Sequence, residues 1–68
     1  MPVVTFEAAA LNKNQKRELV KGFTEVASKV TGLPEAGFYV FLKENNLENV
    51  GVGGQILSDK NEKNNNTN

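Results

Sequence analysis

The sequence predicts an α+β fold: a short β-α-β unit with a parallel strand pair, one long helix and a C-terminal hairpin. Three observations predict it. Two segments rich in β-branched and aromatic residues alternate in the manner of strands. Between them lies a stretch of helical period, long enough to carry the chain back for a parallel, right-handed crossover. After the second strand comes a short glycine-rich apolar segment, VGVGGQIL, which reads as a hairpin or strand extension.

The first strand is VVTFEAA, Val3 to Ala9. Val4, Phe6 and Ala8 point to one face and Val3, Thr5 and Glu7 to the other. It starts at almost the first residue, so the N-terminus is tied down. Asn12 to Asn14 offers polar caps for a helix running from about Asn14 to Thr31. Leu19, Val20, Phe23, Val26, Ala27 and Val30 form one apolar stripe at the 3.6 period. Gly32 suits the left-handed position that ends a helix, and Pro34 prevents its continuation. Gly22, inside the helix, costs about 1 kcal/mol relative to alanine.

The second strand is GFYVFLKE, Gly37 to Glu44. Phe38, Val40 and Leu42 share one face; Tyr39, Phe41 and Lys43 share the other. Both faces carry large apolar groups, so both are expected to be covered. The helix covers one. Nothing else in the chain is available for the other, which points to a partner subunit. Asn45 to Asn49 reads as a polar loop. The terminal NEKNNNTN has no apolar residue, so residues 1–60 are expected to form the domain and 61–68 a disordered polar tail.

Composition narrows the function. The chain has 68 residues, no Cys and no His. A domain this small has little core and needs disulfides, a metal or association. Without Cys or His, association is the remedy left. Eight Lys+Arg balance eight Asp+Glu, which argues against a nucleic-acid partner. No apolar run reaches membrane-spanning length, and no basic leader precedes the first apolar residues. A cytoplasmic protein without cofactor or metal is the expectation.

Few residues are left to carry chemistry. Ser28 and Ser58 have no His to activate them and read as surface polar groups. The GVGGQ segment fits neither a P-loop nor a GxGxxG turn opening a helix. Pro2 is different. Removal of Met1 leaves a secondary amine, and an ordinary α-amino group titrates near about 8. A dry pocket or a nearby cation lowers that value and frees more base. Val3, Phe6 and Val50 are candidate apolar walls and Lys43 a candidate charge. The competing reading is that Pro2 merely opens a strand with its φ fixed.

MPVVTFE at the start, NQKRELV opening the helix and NVGVGGQ near the end, in this order and spacing, resemble the 4-oxalocrotonate tautomerase family. The resemblance covers about residues 1 to 60. It implies a hexamer built as a trimer of dimers, with a four-stranded sheet in each dimer. It also implies keto–enol tautomerisation of a small enol acid such as 2-hydroxymuconate, with Pro2 as the proton-carrying base. The best-known members carry one arginine after the first strand and another in the second strand. Here the loop offers Asn12 and Lys13, and the strand position aligns with Tyr39. The aromatic wall before the glycines is Val50. By this resemblance Lys13, Tyr39 and Val50 are candidate substrate-binding residues, and Lys43, two residues beyond Tyr39 on the same strand face, is a candidate replacement for the missing cation. The one arginine, Arg17, lies in the helix's first turn. The changed partner positions keep open an alternative, a catalytically silent binding or assembly module on the same fold. A dehalogenase or hydratase using the same amine needs carboxylate clamps that the chain lacks.

Overall fold

The computed structural model describes the backbone of residues 1–66 and the side chains of residues 1–61. Strand β1 (Val3–Ala8) pairs in parallel with β2 (Tyr39–Glu44), in a register that sets Val3 against Tyr39, Thr5 against Phe41 and Glu7 against Lys43. Helix α1 (Lys13–Thr31) makes the crossover between them. A second, antiparallel ladder joins β3 (Gly51–Val52) to β4 (Gln55–Ile56), and α2 (Leu57–Asn66) follows. The predicted β-α-β unit with a terminal hairpin is therefore present. Among the described residues no helix is long and apolar enough to cross a membrane.

Local chemistry sets the element ends. Asn12 caps α1: its side chain accepts from the Gln15 amide at 2.8 Å, and the Gln15 side chain accepts from the Asn12 amide at 3.0 Å. This reciprocal capping box starts the helix one residue earlier than the sequence suggests. Gly32 ends it in the left-handed conformation, φ 77°, with its amide donating to the Ser28 carbonyl. Ser28 is half-buried and its hydroxyl donates to the Leu33 carbonyl, so its role is to hold the turn leaving α1. After Pro34 the chain makes a 3-10 turn, Glu35–Gly37, and β2 begins only at Tyr39. In the hairpin, Gly53 and Gly54 have φ of 58° and 85°. Two consecutive positive φ values match the twist of a tight hairpin and suit glycine.

The helix packs on the face formed by Val4, Phe6, Ala8, Val40 and Leu42, all half-buried. Phe6 and Phe23 meet there with ring centroids 5.4 Å apart and planes tilted by 49°. This is the nearest thing to a core, because among the described residues no side chain is fully buried. The opposite sheet face is open: Val3, Tyr39 and Phe41 are 48%, 51% and 53% exposed. The radius of gyration is 16.2 Å, against about 11 Å for a compact domain of this length. The strands thus show one covered and one uncovered face, as expected of a chain that needs a partner.

The helix is less thoroughly covered than its stripe implies. Val26 and Val30 are 63% and 79% exposed, because a two-stranded sheet is a ledge only about 5 Å between strand axes. The C-terminal segment also differs from expectation. The backbone of α2 runs to Asn66, so the division at residue 60 falls inside a helix. Lys60, Glu62 and Lys63 are good helix formers, and Asp59 in the first turn complements the helix dipole. Residues 67 and 68 lie outside the described residues.

Candidate active site

Pro2 immediately precedes β1 and is half-buried. Its carbonyl oxygen accepts from the Tyr39 amide at 3.0 Å, which extends the parallel ladder by one rung. The position of Pro2 is thereby fixed by the sheet. Its nitrogen stands one residue ahead of the leading end of β1. Tyr39, on the open face, stands beside it with Val3 directly opposite in register.

The other expected site residues lie elsewhere in the chain. Lys43 is four residues along β2 from Tyr39 and faces Glu7 in register, about 13 Å away at the strand rise. Lys13 is the exposed first residue of α1, which begins beyond the far end of β1. Val50 is half-buried and lines a cavity of about 210 Å³ with Glu7, Ala8, Asn45, Leu47 and Leu57. The Leu57 amide donates to the Val50 carbonyl at 2.7 Å, so the hairpin closes over that end. β1 spans six residues, so Pro2 and this cavity are separated by about 17 Å. One chain therefore brings Pro2 and Tyr39 together, and sets Lys43, Lys13 and Val50 apart from them at the carboxyl end of the sheet.

That carboxyl end is tightly braced. Glu44 accepts from the Leu11 amide and from Lys16 Nζ, both at 2.8 Å. The Lys16 ammonium, and then the Leu11 amide, hold the Glu44 carboxyl below its usual range. The Asn45 amide donates to the Ala8 carbonyl at 2.8 Å, and its side chain donates to Glu7 Oε1 at 3.0 Å. These bonds seat the start of α1 against the end of β2. They were not legible in the sequence, since Lys16 and Glu44 are 28 positions apart. The sequence reading also passed over a basic groove on α1, where Lys13, Lys16, Arg17 and Lys21 surround Val20. Its signal was present in the helical spacing of those cations.

Comparison with known proteins agrees with the fold. Residues 2–60 match the tautomerase family, described as tautomerase enzyme. The chain is 36% identical over 61 residues to a probable tautomerase of Lactiplantibacillus plantarum, covering 88% of this chain and 95% of that protein. It is 37% identical over 60 residues to a 2-hydroxymuconate tautomerase of Bacillus subtilis, covering 87% and 97%. The crystal structure of a 4-oxalocrotonate tautomerase homologue superposes with a TM-score of 0.78 at 33% identity, over 87% of this chain and 95% of that one.

Proposed function

The chain belongs to the tautomerase family, and from that premise we propose that it is a keto–enol tautomerase whose general base is the secondary amine of Pro2. Removal of Met1 frees the nitrogen. The neutral amine takes the hydroxyl proton of a small enol acid, and the resulting ammonium returns a proton to carbon at the far end of the conjugated system. The oxygen becomes a carbonyl, so the substrate is isomerised with no net loss of atoms or charge. Orientation and stabilisation of the charge developing on oxygen supply the rate.

The observation that carries this reading is the position of Pro2. It leads a strand, is half-buried, and is anchored through its own carbonyl by the Tyr39 amide. Seating the residue beside β2 restricts where the freed amine can stand, which serves the hydrogen-bond reach that a general base needs. A proline that merely opens a strand would use the same anchor but need no free amine, and activity in a chain beginning at Pro2 distinguishes the two.

A homo-oligomer is part of the proposal. Lys43 and the Val50 cavity lie about 17 Å from Pro2 along the strands of one chain, and Lys13 opens α1 beyond the far end of β1. A second copy running the opposite way along the sheet edge carries its own carboxyl end to the first copy's Pro2. The exposed Val3, Tyr39 and Phe41 then find cover in the assembly. A dimer is the smallest such unit, and a hexamer formed as a trimer of dimers covers both the sheet edge and the open face.

The experiment is to follow the ultraviolet absorbance of 2-hydroxymuconate and of phenylpyruvate enol with protein beginning at Pro2. Decay well above the buffer rate, much reduced in Pro2→Ala, is expected. Decay at the buffer rate for both enols would leave the chain an assembly module on the tautomerase fold.

A further inference from the structure

We infer that Glu44 is a positioning residue for the proposed site: its carboxylate holds the loop between β1 and α1 against the end of β2, and so fixes one wall of the concavity that the carboxyl end of the sheet offers to another copy's Pro2. The inference rests on the reading of Pro2 as base within an assembly, and it names the group that shapes the surface facing that base.

The concavity has a volume of about 590 Å³, within the range of small-molecule sites. Ala9 and Ala10 of the β1–α1 loop form one side of it. Asn45, Asn46 and Leu47, which follow β2, form the other, and Glu44 stands between them. It shares Ala9, Asn45 and Leu47 with the smaller cavity beside Val50, so the two adjoin. Glu44 falls in the β2 alternation with Val40 and Leu42, on the side that carries α1. It is the last residue of that strand, so its side chain can reach past the sheet to the loop.

The carboxylate uses its two oxygens on two different parts of the chain. Oε2 accepts from the Leu11 amide and Oε1 from Lys16 Nζ, both at 2.8 Å. The Lys16 ammonium and then the Leu11 amide hold the carboxyl below its usual range, which keeps both oxygens as acceptors. Leu11 precedes the helix cap at Asn12, where no helical ladder supplies its amide with an acceptor. Lys13, a candidate cation of this end, lies between the two fastened residues. The two bonds differ in what they do. An exposed ion pair such as Lys16–Glu44 contributes little to stability. A backbone amide held by an ionised carboxylate is among the stronger hydrogen bonds, and this one sets where the loop wall stands. The Asn45 amide, bonded to the Ala8 carbonyl at 2.8 Å, ties the loop only at its beginning. Without the Glu44 bond, Ala9 to Leu11 are free to move away from β2, and the wall widens.

The test uses chains beginning at Pro2, with phenylpyruvate enol as probe and hydrogen exchange at the Leu11 amide as a second readout. Four variants all lose the ion pair. Glu44→Met and Glu44→Ala differ in bulk but agree in leaving Leu11 no acceptor. Glu44→Gln keeps an amide oxygen for Leu11, and Lys16→Met leaves the Leu11–Glu44 bond in place. The first two are expected to raise KM about tenfold, the size of one lost bond to a charged acceptor, with kcat within about twofold, because the wall binds ground and transition states alike. They also lose protection of the Leu11 amide. The other two keep that protection and stay within about twofold of the wild-type KM. A brace that serves stability alone would group all four together, since each lacks the same ion pair. That grouping, or a wild-type KM in Glu44→Met and Glu44→Ala, overturns the inference. Pro2→Ala separates this claim from the one beneath it. If Pro2→Ala is as active as wild type, the base assignment falls, and the grouping of KM values still decides the role of Glu44. If no chain turns the enol over, the dissociation constant of the same probe by calorimetry takes the place of KM and is read in the same way.

Discussion

The amide of Tyr39 donates to the carbonyl oxygen of Pro2 at 3.0 Å, so the residue just ahead of β1 is held by the residue that opens β2. The sheet's first rung thus fixes the position of the group proposed to carry the chemistry. Packing behind that rung depends on a thin layer of apolar contact between α1 and the sheet.

Phe23 is the helix's main contribution to the layer, through its ring contact with Phe6 at 5.4 Å. Phe23→Ala removes a half-buried ring, so the loss is smaller than for a full core site, about 2 kcal/mol. Denaturant unfolding at fixed protomer concentration checks it, since association contributes to stability.

Helix α1 begins with a capping box on Asn12 and has no acidic residue in its first turn. Asn12→Ala is expected to cost about 1 kcal/mol. Asn12→Asp keeps the cap and adds a charge that complements the helix dipole, so it should equal or exceed wild type. Thermal melting of the two variants side by side measures the difference.

Glu44 braces the carboxyl end of the sheet, and Lys16 followed by the Leu11 amide lowers its carboxyl below the usual 4.5. A carboxylate whose folded value is depressed stabilises fully above its unfolded value. The contribution is lost as pH falls through the folded value. Melting temperature should therefore decline from about pH 4.5 downward, and Glu44→Gln should flatten that part of the profile. Because the group is solvent-exposed, the effect is expected to shrink in high salt.

Gly54 turns the hairpin at φ 85°, with open space where a Cβ would stand. The cost of Gly54→Ala is therefore backbone strain rather than a clash, about 1 kcal/mol. Chemical denaturation reads it, and Gly22→Ala, at a helical position that also has open space, should move the opposite way unless a partner helix occupies that space.

The sequence carried much of this architecture because alternation and helical period are local properties. Val4, Phe6 and Ala8 share one face by their spacing, and that face is the half-buried one on which the helix packs. The exposure of Val26 and Val30 was not legible, since it depends on how wide a sheet the helix lies upon. Pro2 stood out by position alone. That Tyr39 is its neighbour, while Lys43 is a strand length away beside Glu7, follows from the parallel register, and register is a tertiary property. Val50 was harder still: its place near Ala8 is set by the loop and by the Leu57–Val50 hydrogen bond.

The most direct measurement compares two forms of one chain, one beginning at Pro2 and one with Met1 still attached through a peptide bond. An acylated nitrogen has no lone pair available for a proton, while the fold and every other side chain are unchanged. With phenylpyruvate enol as substrate, the chain beginning at Pro2 should turn over at least about a hundredfold faster. Equal rates from the two forms would contradict the account.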